Sequence, residues 1–417
     1  MLNTKEVDLV VVGGGPAGMA AAVAASEAGV EAIVLIERQA RLGGILPQCI
    51  HNGFGLRFFK EELTGPEYAH RFMLELEKHP GIEVKTGTMV IKVTADRQVM
   101  TVSAAEGLVC YQARAVILAM GCRERPRGAI NIPGTRPAGI YTAGSLQYLM
   151  NIEGFLPGRT AVILGSGDIG LIMARRLTLE GIQVKAVLEL MPYSNGLNRN
   201  VVQCLEDFKI PLYLSHTVTA IHGQKRVEKV SVAPVGADLK PLVEKGFDLA
   251  CDTLVLSVGL IPENELSLQA GVELDPATGG PVVDSFYHTT VEGIFACGNV
   301  AHVHDLVDDV STESAIAGRA AAAYLRGEIR GTRWLPVKAG RNIRSVVPQR
   351  IVTGQATPLY IRARFPERDV LLQVGRGRSR RRIVSPGETI YYTVKPEEIS
   401  ETDGWIGVSL EGGEIDD

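Results

Sequence analysis

Two copies of one strand–glycine turn–helix–strand pattern lie about 150 residues apart, and a β-biased, arginine-rich stretch follows residue 330. Together they predict an α/β protein. It has two Rossmann-like three-layer dinucleotide-binding domains, the second inserted in the first, plus a C-terminal β-rich segment. The expected boundaries are 1–130 with 255–330 for the first domain, 131–254 for the second and 331–417 for the last. The chain is 417 residues long and 46% hydrophobic, so it can fill cores of that number.

The first copy opens with the apolar run Val7–Val12 and the turn Gly13-Gly14-Gly15-Pro16-Ala17-Gly18. An Ala-rich helix to Ala28, Gly29 as its stop and a second apolar run, Ala32–Ile36, complete it. The second copy runs from Ala161–Leu164 through Gly165-Ser166-Gly167-Asp168-Ile169-Gly170. A helix to Glu180, Gly181 and the strand Val184–Leu188 follow. Three further buried strands are expected at Ala115–Met120, Thr253–Val258 and Gly293–Cys297. Ser311–Tyr324 reads as a long helix, with Ser311 or Thr312 as N-cap and Glu313 in its first turn.

A lone G-x-G-x-x-G is a weak signal. Here each copy follows a strand, opens a helix and precedes an acid at the end of the next strand, Glu37 or Glu189. In that context Gly13 permits the tight turn, Gly15 lets backbone approach a pyrophosphate, and Gly18 lets helix pack on strand. The pyrophosphate sits on the helix N-terminus, where unpaired N–H groups favour an anion. Glu37 is then expected to accept from ribose hydroxyls. Gly165, Gly167, Gly170 and Glu189 take the same roles. A carboxylate at 189, followed by Leu190, Met191 and Pro192 without an arginine cluster, favours NAD over NADP.

Composition excludes several classes. A net charge of −4 gives no reason to expect nucleic-acid binding. The six cysteines, 49, 110, 122, 204, 251 and 297, include no C-x-x-C, which argues against a zinc ribbon or disulfide framework and fits a reducing cytosol. No stretch of 18 uncharged apolar residues exists to span a membrane. Residues 331–396 carry 14 Lys/Arg against 3 Asp/Glu, whereas 397–417 carry 8 acids and no base. The basic stretch reads as a solvated face neutralised by the tail, or as a docking surface for an acidic partner.

These motifs as a set resemble the two-dinucleotide flavoproteins, the pyridine nucleotide–disulfide oxidoreductases. Val116–Gly121 is similar to that family's A-T-G strand, with Met120 in place of Thr. Gly293–Asn299 is similar to its h-h-A-x-G-D segment, with Asn299 in place of the acid that holds the ribitol chain. The resemblance implies FAD on the first domain and NAD(P)H on the second. It carries Pro16, Ala17, Arg38, Gly44, Val90, Ala119, Gly121, Asp168, Ile169, Gly259, Gly298 and Asn299 over as further cofactor contacts. Both family positions for a redox dithiol lack it: Thr142-Ala143-Gly144-Ser145 follows the thioredoxin-reductase-like Gly139-Ile140-Tyr141, and Cys49 has no partner after Gly43-Gly44. More narrowly, Gln48–Gly55 and the His302-Val303-His304-Asp305 segment resemble FAD/NAD subunits found alongside glycerol-3-phosphate dehydrogenases, with components of amine, opine and cyanide-forming dehydrogenases as more distant kin.

That resemblance implies electron transfer between NAD(H) and a partner dehydrogenase subunit. Two alternatives stand beside it. One is a self-contained NADH oxidase or peroxidase using Cys49 as thiolate, assisted by His51, although a free cysteine is commonly just a small buried hydrophobe. The other is a non-catalytic flavin sensor. His302, His304, Asp305, Asp308 and Asp309 read as a solvated polar loop or a proton relay. The pattern is too unspecific to expect a metal, and none is expected.

Overall fold

The computed structural model describes residues 3–329, 333–400 and 404–412. They divide into two compact units, one of 1–122 with 262–417 and one of 123–261. The exchange points thus fall outside the 131–254 expected for the inserted domain, and the C-terminal segment groups with the first unit.

The first unit begins with β1 (Asn3–Val12), α1 (Pro16–Glu27), β2 (Ile33–Ile36), α2 (Gly65–Glu77), β3 (Ile82–Lys85) and β4 (Gly107–Leu118). The four strands order β3-β2-β1-β4 and run parallel, with Val12 opposite both Ile36 and Leu118. An antiparallel hairpin, Thr88–Val93 and Gln98–Ser103, pairs with the first half of β4. The strands are continuous apolar runs because helices cover them. Because β1 has a neighbour on either side reached by opposite crossovers, the carboxyl ends of β1, β2 and β4 form the cleft where such sheets bind ligands.

The second unit contains β5 (Ile140–Thr142), α3 (Ala143–Asn151), β6 (Thr160–Leu164), α4 (Asp168–Leu179), β7 (Gln183–Glu189), β8 (Leu212–Leu214) and β9 (Thr253–Leu256). Its sheet is wholly parallel, in the order β5-β9-β6-β7-β8. A three-stranded antiparallel sheet, from His216 to Ala250, supplies another layer. Both fold classes match the expectation.

The first unit resumes with β10 (Ile294–Ala296), paired with β4, and α5 (Val307–Leu325). This helix starts four residues before the expected Ser311. The extra turn forms because Asp308 and Asp309 occupy its first turn, where carboxylates face the positive end of the dipole. Ser311 is therefore no cap: its Oγ, fully buried, accepts from Tyr68 at 2.8 Å, and Thr312 donates back to the Asp308 carbonyl. A Cβ on Gly318 would come within 2.2 Å of the Ala21 carbonyl oxygen, so α5 crosses α1 at backbone contact. That crossing fixes the segment after β10 against the first glycine turn.

The C-terminal part folds as a five-stranded and a three-stranded sheet around a core that includes Leu335, Ile343, Ile361, Leu372, Val408 and Leu410. Its edge strand, β11 (Gly377–Val384), exposes Arg378, Arg380 and Arg382. Residues 401–403 and 413–417 of the expected acidic tail, with five of its eight acids, lie outside the described residues.

Candidate functional site

The two glycine turns are built alike. A Cβ on Gly13 would lie 2.4 Å from the Ala119 carbonyl oxygen, and one on Gly18 would lie 1.8 Å from the Gly13 oxygen. Gly165 and Gly170 are closed in the same way, by the Ser257 carbonyl at 2.0 Å and the Gly165 oxygen at 2.6 Å. The middle glycines differ. Around a Cβ on Gly15 the one neighbour within 4 Å is the Gly44 Cα, at 3.8 Å, and around Gly167 it is Ser257 Oγ, at 3.7 Å. Both have ordinary extended backbone, with φ of −76° and −65°. Protein does not require glycine at those two positions. Each faces open space at a helix N-terminus whose N–H groups have no side-chain cap.

The acids that follow are buried rather than displayed. Glu37 Oε2 accepts the Gly14 N–H at 2.7 Å and Oε1 the Gln39 N–H at 2.8 Å. Glu189 accepts the Ser166 N–H and hydroxyl through Oε2, at 2.9 and 2.6 Å, and the Met191 N–H through Oε1 at 2.9 Å. Each carboxylate thus ties its own turn to the end of the next strand. Asp168 is engaged by the loop that follows β7. Its Oδ1 accepts from Leu197 N–H and Asn200 Nδ2, holding the following loop.

Around the first turn the structure gathers several expected residues. Pro16 is the first residue of α1, Gly44 faces Gly15, and Ala119 lies under Gly13. A Cβ on Gly298 would meet the Ala17 Cβ at 2.7 Å, so the Gly298-Asn299 turn touches the fingerprint helix. Gly121 and Gly259 border open space, Arg38 is exposed, and Ile169 is half-buried in the first turn of α4. Val90 is a core residue on the hairpin, paired with Thr101.

Cys49 is buried, with its thiol donating to the Ile45 carbonyl at 3.4 Å. Burial pushes that thiol up to about 12, so it stays protonated at neutral pH and is no thiolate nucleophile. His51 packs its ring against Phe54, 5.1 Å away. None of the six cysteines forms a disulfide. At the position of a thioredoxin-reductase-like dithiol, α3 begins instead, its Gly144 and Ser145 N–H groups donating to the Glu124 carboxylate at 2.7 and 3.2 Å.

The His302–Asp309 segment is not a solvated loop. Asp308 accepts the N–H groups of Gly55, Arg57 and Phe58 at 3.1, 3.2 and 2.7 Å. Asp309 pairs with Arg57 and accepts from Tyr391 at 2.6 Å, while Asp305 binds Arg362 and Thr389. Glu313, which the sequence marked only as a first-turn acid, is wholly buried and joins both imidazoles. Burial alone would raise its carboxyl, but His304 and His302 override it and hold it at about 2. Burial, with the neighbouring His304 second, lowers His302. Asn299 Oδ1 accepts the His304 backbone N–H at 3.0 Å, and its amide reaches Cys122 Sγ at 3.5 Å. Glu313 stands nine residues beyond His304, across the start of α5, and no local pattern connects them.

The family model for pyridine nucleotide-disulphide oxidoreductases matches residues 7–323. The chain belongs to that family. With membership come the oxidoreductase class and its cofactors, FAD and a nicotinamide dinucleotide. Among curated relatives, a hydrogen cyanide synthase subunit of Pseudomonas protegens is 29% identical over 63% of this chain and 59% of its own. An opine oxidase subunit of Agrobacterium tumefaciens is 28% identical, over 71% and 61%. The chain therefore spans about three fifths of those two relatives. Thioredoxin reductase of Treponema pallidum is 28% identical over 77% of this chain and 97% of its own. In fold, the crystal structure of T. acidophilum thioredoxin reductase superimposes with a TM-score of 0.63 at 23% identity, covering 76% of this chain and 98% of that one.

FAD fits the first turn on structural grounds: open space at Gly15 and uncapped helix N–H groups are what a pyrophosphate requires. Gly13–Gly18 and Gly44 would cradle it, and Asn299 would offer its amide. When bound, the flavin supplies the electron-accepting ring. This chain's residues hold the turn closed from behind through Glu37 and keep water from the core strands beneath it.

Proposed function

We propose that the chain transfers electrons between NAD(H) and a partner dehydrogenase subunit by way of FAD. The observation that carries this reading is the pairing of two intact dinucleotide cradles with the absence of any disulfide among the described residues and with a Cys49 thiol that burial keeps protonated. Hydride transfer between two bound cofactors needs positioning and little acid–base chemistry. Electrons reaching the flavin then need an acceptor outside the described residues, and two relatives are themselves named as subunits. The narrower resemblance points to a partner acting on glycerol 3-phosphate. Exposed Arg378, Arg380 and Arg382 on β11 offer such a partner a basic docking face. NAD is favoured over NADP because a 2′-phosphate would stand beside the Glu189 carboxylate.

The test is steady-state turnover of the FAD-loaded full chain with NADH in air. We expect slow consumption of O₂ and peroxide, rapid reduction of an artificial acceptor such as ferricyanide, and unchanged rates in Cys49→Ser. Rapid turnover with O₂ or peroxide, abolished in Cys49→Ser, would establish the oxidase reading instead.

A further inference from the structure

His302, His304 and Glu313 meet at one point. The Nε2 atoms of the two histidines stand 2.8 and 2.9 Å from the same oxygen, Glu313 Oε2, and their rings stack with centroids 3.9 Å apart. The three side chains are 11, 2 and 0% exposed. The ring of Tyr360 covers both imidazoles, at 5.2 and 5.5 Å. From this geometry we infer that the three residues form a binding site for one divalent transition-metal ion.

Hydrogen bonding around the cluster is what favours a metal. Asn299 Oδ1 lies 3.2 Å from His304 Nδ1 and also accepts the backbone N–H of the same residue. An amide oxygen only accepts, so Nδ1 carries a hydrogen, and whenever that ring is neutral its Nε2 lone pair faces Glu313. A lone pair facing a carboxylate oxygen is repelled unless positive charge lies between them. A proton on each Nε2 can provide it, as can one metal ion shared by both rings and the carboxylate. The arrangement of outer partners is that of a ligand set. Imidazoles that bind metals donate their other N–H to an oxygen, as His304 does to Asn299, and ligating carboxylates are themselves hydrogen-bonded. Glu313 Oε1 accepts the Gly298 N–H at 2.7 Å, which orients Oε2.

Tyr287, 1% exposed, sets its hydroxyl against Glu313, so the cluster is closed on that side as well.

Two imidazoles and a carboxylate, without thiolate, suit Zn²⁺, Fe²⁺, Co²⁺ or Mn²⁺ rather than Cu⁺ or Ca²⁺. Cis ligands ~2.1 Å from one ion are about 3.0 to 3.4 Å apart, so the observed separations need open by only a few tenths of an ångström. The ion would clip the segment after Gly298-Asn299 to α5, fixing the turn that touches the fingerprint helix. The sequence pattern H-x-H alone did not support this; Glu313 and the Asn299 outer contact do.

The test uses untagged full-length protein, loaded with FAD, stripped with a chelator and titrated with Zn²⁺ by calorimetry. One equivalent per chain should bind, with a rise in thermal midpoint. His302→Gln and His304→Gln should each weaken binding by more than the roughly 10- to 100-fold that loss of an outer partner of a metal ligand costs. The change His79→Gln, far from the cluster in sequence, should leave it unaltered. X-ray absorption at the zinc edge of the wild-type complex keeps the inference testable if the variants do not fold: it should show nitrogen and oxygen neighbours. Absence of saturable one-equivalent binding would show that protons alone hold the cluster and overturn the inference. So would sulfur ligands at the zinc, or binding that survives both histidine changes together.

Discussion

Gly15→Ala should yield a folded protein that no longer holds FAD well, whereas Gly18→Ala should not fold normally at all. The contrast follows from what each new methyl group meets. At Gly15 it meets nothing closer than the Gly44 Cα at 3.8 Å, and the backbone there already has a φ that alanine adopts freely. The methyl enters the space open to a pyrophosphate. Overpacking of about 1–3 kcal/mol corresponds to a loss of roughly 10- to 100-fold in FAD affinity. At Gly18 the methyl would lie 1.8 Å from the Gly13 carbonyl oxygen, which cannot retreat without opening the turn between β1 and α1. Fluorescence titration of the apoprotein with FAD and a thermal melt separate the two effects. If Gly15→Ala bound FAD as well as the parent, the turn would be a structural connection and not a cradle. Gly167→Ala and Gly170→Ala form the matching pair for the nicotinamide nucleotide.

Asp308→Ala should cost the fold roughly 3–5 kcal/mol, the loss expected when a buried charged acceptor is removed from several donors. The side chain is 2% exposed and gathers three N–H groups of one turn, from Gly55, Arg57 and Phe58. It also supplies negative charge to the first turn of α5. Removing it strands those donors in the interior and releases the 55–58 turn. Asp308→Asn keeps the shape and one acceptor oxygen, so it should recover part of the loss. Denaturant unfolding of the three proteins measures this directly, and a change below about 1 kcal/mol for the alanine variant would mean that water replaces the carboxylate without difficulty.

Much of this molecule was legible in the sequence because the signals are local. Gly13, Gly18, Gly165 and Gly170 belong to short turns whose spacing alone identifies them. The buried strands read as apolar runs because both faces are covered. Glu37 and Glu189 were located correctly at strand ends. Their backbone partners could not be foreseen, since Gly14 and Ser166 meet them only when the parallel strands align.

What escaped depends on distant pairs. Asp308 holds a turn some 250 residues earlier in the chain, and Asp305 and Asp309 meet Arg362, Thr389 and Tyr391 from the C-terminal sheets. Without those partners an acidic, histidine-containing stretch reads as solvated. The start of α5 was misplaced for the same reason. Ser311 looks like a cap, but its hydroxyl is taken by Tyr68 on α2. Burial of Cys49 beneath Gly65 likewise has no local signature, although it decides against thiolate chemistry.

The central claim is that this chain passes hydride between a nicotinamide nucleotide and its own flavin. Anaerobic titration of the FAD-loaded protein with NADH, and separately with NADPH, tests it most directly, followed at the flavin band near ~450 nm. The account predicts full bleaching by one equivalent of NADH, with NADPH much slower. An intact flavin spectrum after excess of either nucleotide would contradict it.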